Sequence, residues 1–369
     1  MTELLVGTRK GLFVLNGEPG SAFEVTARAF AGDPVEYAVR DPRSGRVLVS
    51  VTSPFYGPKI WYADDPAGDW EQATGVGLPE GGEAVLERIW VIAAGEADDT
   101  FYAGGDPGVL FESRDRGATF EINRALLEHP TRPTWEPGAG GLCLHSIVTW
   151  PGEPDRLAVA ISAAGVWLTD DAGATWRRGN EGLVARYVPE DAPADEIALC
   201  VHRVHRAPAR PERMFLQFHG GVYRSDDAGE TWTDIGTGLP SDFGFALALD
   251  PADPDSAYVI PLDADIDRVT PGGRVRVYET RDAGASWEAH GHGLPHENAY
   301  LTILREAFDW LGEGDALELY FGATSGMVFG SGDAGASWFE VATYLPPVLS
   351  VSAVVGAHLD DDGRAGAGR

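Results

Sequence analysis

Cysteine and lysine are almost missing from this chain of 369 residues: Cys143 and Cys200 stand against Lys10 and Lys59. Two cysteines in so long a chain exclude a disulfide scaffold and predict a reducing compartment, the cytoplasm. Long apolar runs are missing too. None approaches the ~18 residues of a membrane span, and the first strand-like segment begins at Leu4 with no leader-like stretch before it. The expectation is a chain with neither membrane segment nor signal peptide. Positive charge is scarce: 28 basic residues face 57 acidic ones, for a formal net charge of −29. That balance excludes nucleic acid as a partner, because its phosphates would be repelled.

What is abundant is repetition. One short phrase occurs five times: SRDRGATF at 113–120, TDDAGATW at 169–176, SDDAGETW at 225–232, TRDAGASW at 280–287 and SGDAGASW at 331–338. Its closing aromatics, Phe120, Trp176, Trp232, Trp287 and Trp338, are spaced by 56, 56, 55 and 51 residues. A fixed period near 50 means stacked copies of one supersecondary unit. Each copy reads as a tight turn between strands. Asp115, Asp171, Asp227, Asp282 and Asp333 accept bonds across the turn, the glycine supplies positive φ, and the aromatic buries its ring between units. Five such acids around a ring cannot converge on one substrate, so they are structural.

Two further units are decayed copies. KIWYADDPAGDW (59–70) keeps Asp65 and Trp70, with Ala67 where glycine is expected, and LLVGTRKGLFVLNGEPGSAF (4–23) ends on Phe23. Seven units result. The first begins with its second strand, and LPPVLSVSAVVGA (345–357) has the pattern of the missing innermost one. The prediction is an all-β, seven-bladed β-propeller over residues 1–359, closed by the C-terminal strand, followed by a disordered acidic, glycine-containing tail at 360–369.

The repeated phrase resembles the Asp-box of BNR-repeat proteins, whose members include sialidases, xyloglucanases, sortilin-type receptors and a photosystem II assembly factor. The resemblance covers nearly the whole chain and implies the propeller fold, with the phrases on blade hairpins; it does not imply one activity. Sialidases carry an Arg-Ile-Pro phrase, whereas the only Arg-Ile here, Arg88-Ile89, is followed by Trp90. A true sialidase is not expected. Xyloglucanases resemble this chain doubled, with their acids in a cleft between two propellers, which a single ring lacks.

Unshared positions of a repeat protein are free to carry function. The fourth and fifth innermost strands, LCLHSIVTWP (142–151) and LCVHRVHRAP (199–208), align without gaps, matching Cys143 with Cys200 and His145 with His202. Registering the others on the following turn puts Arg88, Phe245 and Tyr300 at the same level, with Glu36 or Tyr37 from blade two and Ser350 or Ser352 from the closing strand. Long connections at 52–59, 121–141, 177–198 and 261–279 gather on this face, as binding loops do. One long loop, 305–318, is assigned to the far face.

The site expected is therefore a polar channel mouth for an anionic or carbohydrate-like small molecule. Arg88 would bind an acidic group, with Glu36, Tyr37, His205, His219 and Phe245 lining the ligand. His145 or His202 would be general base, and Tyr300 or the other histidine the acid. A metal site of Cys143, His145, Cys200 and His202 is the less favoured reading, and no cofactor or oligomeric state is legible. The competing hypothesis is a non-catalytic propeller that binds a protein partner through an apolar patch of Trp135, Tyr187 and Phe243.

Overall fold

The computed structural model describes residues 1–82, 84–138, 140–186, 199–264 and 267–356. They form seven four-stranded antiparallel sheets arranged as the blades of a propeller. The tail at 360–369 and Tyr187 lie outside the described residues. Blade one is composite: Val348–Val355 is its innermost strand and pairs with Thr2–Thr8, matching Leu5 with Ser352 and Leu4 with Ala353. The ring is closed by the two ends of the chain, as the missing strand predicts. Among the described residues no helix is long and apolar enough to cross a membrane.

Burial explains the strand pattern. The second and third strands lie between neighbouring blades and are apolar on both faces, as in Phe215, Leu216, Phe218, Val222 and Tyr223 of blade five, all almost wholly buried. The outermost strands are short and polar, two exposed residues each at Arg177–Arg178 and Thr233–Asp234. Short charged edges offer little for another chain to pair with.

The five repeated phrases form one hydrogen-bonded turn between third and fourth strands. In the first, Asp115 Oδ1 accepts from Thr119 N (2.8 Å) and Oδ2 from the Thr119 hydroxyl (2.7 Å), while Ser113 Oγ accepts from Gly117 N (2.9 Å). The same set recurs at Asp171, Asp227, Asp282 and Asp333. Hydroxyl and amide donors hold the Asp171 carboxyl down to about 2, the Thr175 hydroxyl contributing most. The residue before each glycine also has positive φ, from 53° to 61° at Ala334, Ala172, Ala283, Ala228 and Arg116. Its amide anchors the turn to its own blade, as Ala228 N does on Glu212 O (2.9 Å).

The closing aromatics tie each blade to the one before. Trp232 Nε1 donates to Gly179 O (2.8 Å), Trp287 Nε1 to Ile235 O (2.7 Å) and Trp176 Nε1 to Asn123 Oδ1 (3.1 Å). These acids hold the turns, and these tryptophans join neighbouring blades.

One assignment is corrected. Residues 305–318 are not a far-face loop: Phe308–Leu311 is the innermost strand of blade seven and pairs with Glu318–Gly322. A charged residue gives this strand the composition of a loop. Asp309 belongs inside, because its carboxylate accepts the amide of Ala353 from the closing strand (2.8 Å).

Candidate functional site

The innermost strands share a bulge near their entry. Leu144 pairs with Ile161 and Ser146 with Ala160, so His145 has no partner across the ladder. His202, Trp90 and Glu36 are skipped in the same way, and blade six skips both Phe245 and Ala246. A bulge re-aims the side chain it frees. The ring at this level is thus Glu36, Trp90, His145, His202 and Phe245. Arg88 is not in it. It pairs with Asp106, two residues before the bulged Trp90.

The two histidines serve different ends. His145 is fully buried; its Nε2 donates to Val201 O of the next blade (2.8 Å), and Nδ1 faces the Ser146 hydroxyl (3.0 Å). Both nitrogens are engaged, and His145 links blades four and five. His202 Nδ1 likewise donates to Gly244 O (2.5 Å), which leaves the lone pair on Nε2, 3.5 Å from Cys200 Sγ. Its ring packs on Phe243, Phe245 and His219, at 5.3, 4.7 and 5.5 Å between centroids. Burial, and then the charge of Arg305, drive both histidines well below the usual range, so both are neutral.

Arg305, unmarked in the sequence reading, occupies the middle of the mouth. It comes from the entry to blade seven yet lies over Trp90 of blade three (5.5 Å) and Phe245 of blade six (4.8 Å), and Nη2 reaches Ser162 Oγ of blade four (3.5 Å). A side chain that touches three other blades crosses the central channel. It is 8% exposed, and among the described residues no carboxylate pairs with it. Its Nε and the buried Trp90 Nε1 have no hydrogen-bond partner. Arg268 lies over the same aromatics, Phe243 (5.8 Å) and Phe245 (5.7 Å), and Arg88 over Trp90 (4.7 Å). Burial works against the charge on Arg305, and Arg268 and Arg88 add to that pressure.

The other expected residues divide. Glu36 is buried and pairs with Arg88 (3.4 Å); burial lifts its carboxyl above the usual range while Arg88 opposes that. His219 stands beside His202 and Phe243 at this mouth. Cys143 is buried, its thiol donating to Gly140 O (3.0 Å). It and His145 therefore do not join Cys200 and His202 in a four-ligand metal site. Tyr37 faces the opposite mouth, where with Asp309, Trp310 and Ser352 it lines a cavity of about 680 Å³. His205 packs on Trp310 there (4.9 Å) and accepts from Arg203 Nε (2.9 Å). Tyr300 is not on an innermost strand. It is 63% exposed in the connection before blade seven, in a shallow cleft with Arg274, Arg276 and His296. The apolar patch also fails, since Trp135 and Phe243 are buried, Trp135 against Trp167 (4.9 Å).

No family model and no curated protein sequence matches this chain. Solved structures do. An ancestral GH74 enzyme superposes at TM-score 0.55 and 17% identity over 88% of this chain, which spans 37% of that enzyme's length. YCF48 from Cyanidioschyzon merolae superposes at TM-score 0.54 and 12% identity over 83% of this chain and 84% of its own. YCF48 bound to D1 peptide gives 0.52 and 12%, over 87% and 84%. At these identities the likeness is one of fold, and it extends to hydrolases and to an assembly factor alike.

Proposed function

We propose that the protein binds a small molecule carrying a carboxylate or phosphate at this mouth, with Arg305 as the central contact. The observation that supports this is a buried guanidinium without an acidic partner among the described residues. Burying an unpaired charge costs several kcal/mol, which a ligand anion offsets by forming charge-assisted hydrogen bonds. The chain as a whole repels anions at a net charge of −29, so three arginines at one channel mouth are a local exception. Trp90 Nε1 adds a donor, and Phe243 and Phe245 give an apolar wall of the kind that borders ligand pockets. Arg88, shared with Glu36, serves the rim. The acid–base pairing expected of His145 with Tyr300 has no geometry behind it, so binding rather than turnover is the function proposed.

One chemistry admits two sources: a free small acid, or the terminal carboxylate of a peptide. Peptide binding as such has a parallel in the YCF48 structure bound to D1 peptide. Calorimetric titration at low salt with galacturonate, glucuronate, inorganic phosphate and a short peptide, with its C-terminal carboxylate free or amidated, distinguishes them. Binding of any one to the wild type, lost in Arg305→Gln at unchanged circular dichroism, is the expected result. Equal binding by Arg305→Gln, or no binding of any acid, overturns the proposal.

A further inference from the structure

Blades four and five carry the same Cys-x-His phrase, but only in blade five does a third donor join it. Ser162 N donates to Cys143 O (2.9 Å), and His219 N donates to Cys200 O (3.0 Å), so Ser162 and His219 are equivalent positions on the two hairpins. Serine stands at one and histidine at the other. In blade five, one donor atom each from Cys200, His202 and His219 lies within 4.8 Å of the other two.

We infer that Cys200, His202 and His219 hold a divalent transition-metal ion of the zinc class, with one coordination position open toward the channel. Three features of geometry support it. The carbonyl of Gly244 fixes the His202 tautomer so that Nε2 offers its lone pair to the group, the outer-shell arrangement usual for metal-bound histidine. Zinc–sulfur and zinc–nitrogen bonds of ~2.3 and ~2.0 Å at a tetrahedral angle require an edge of roughly 3.6 Å between the two donors. Cys200 Sγ and His202 Nε2 are 3.5 Å apart. The cluster is also reached from solvent: His202 is buried, while Cys200 and His219 are partly exposed. One sulfur and two imidazoles suit zinc, cobalt or copper and disfavour magnesium and calcium, which take oxygen donors. Blade four is the internal control. His145 has spent its Nε2 on Val201 O, and no imidazole stands at Ser162.

The inference does not rest on anion binding. Three ligands and an open fourth place define a site with or without an acid bound.

The test uses the full chain, stripped with a chelator and titrated with cobalt(II) alone. One equivalent should bind with a thiolate-to-cobalt charge-transfer band and the intense visible absorption of a tetrahedral ion. Cys200→Ser should lose the charge-transfer band, and His219→Ala, a less buried and safer change, should weaken binding about tenfold or more. Cys143→Ser should keep the full spectrum. Absence of stoichiometric cobalt, a charge-transfer band that survives Cys200→Ser, or one that vanishes in Cys143→Ser overturns the inference. Metal-free protein that still binds an acid through Arg305 leaves the anion proposal standing by itself, and a cobalt spectrum without acid binding leaves this one.

Discussion

Two arginines cross the channel of this propeller, and both are almost fully buried: Arg203 is 7% exposed and Arg305 8%. Arg203 has an acidic partner. It forms an ion pair with Glu306, its Nη1 reaches His145 O (3.4 Å) and its Nε donates to His205 Nε2 (2.9 Å). Arg305, adjacent to Glu306 in sequence, has a serine hydroxyl and two aromatic faces. A buried charge with an internal partner belongs to the scaffold. One without an acidic partner among the described residues is what the proposed anion site rests on.

The largest effect should come from breaking the Arg203–Glu306 pair. Glu306→Gln leaves Arg203 buried and unpaired and should cost about 3–5 kcal/mol in chemical denaturation. A cost near zero would place the two arginines in the same class and remove the contrast. His145→Ala should follow, at about 1–3 kcal/mol, because Val201 O and the Ser146 hydroxyl lose their shared partner; acid binding should be unchanged. Arg305→Met reverses the sign. Replacing an uncompensated charge with an apolar side chain of similar length should raise stability by about 1–3 kcal/mol while binding is lost. A destabilised variant would show that Arg305 holds blades together.

The smallest effect is a pH slope below the pair, at the opposite mouth. Burial lifts the Asp309 carboxyl to about 6. An acid whose folded pKa is raised binds its proton more tightly in the native state. Its contribution is therefore full below the unfolded value, near 4, and is lost as pH rises from about 4 to about 6. The depressed histidines act oppositely, losing stability as pH falls below about 6.5. The measurement is thus the difference between wild type and Asp309→Asn: the wild type should lose ground to the variant as pH rises through that window. A difference independent of pH would mean that Asp309 titrates normally.

The ring was legible because its evidence is redundant: five turns repeat one set of bonds, and an absent strand at one end matches a surplus strand at the other. The site was only half legible. Cys200 and His202 stood out because two neighbouring innermost strands align without a gap; His219, on the following hairpin, lies outside that alignment. Arg305 was missed because a channel-lining strand alternates apolar and charged residues, and Glu306 and Asp309 made 305–318 read as a polar loop. Trp90 was missed for Arg88 because the bulge decides which side chain is freed, and a register counted from the following turn slipped by two residues. Repetition reveals the frame; where the copies deviate, counting fails, and the proposed site lies there.

The composite blade also sets a clock. Thr2–Thr8 leaves the ribosome long before its partner Val348–Val355. At ~5–20 residues per second the interval is roughly 20–70 s, during which that edge has no native neighbour. Six blades can assemble in turn during this wait. The first blade synthesised is the last to be finished, so the yield of folded protein depends on how well that one strand avoids other partners while translation runs.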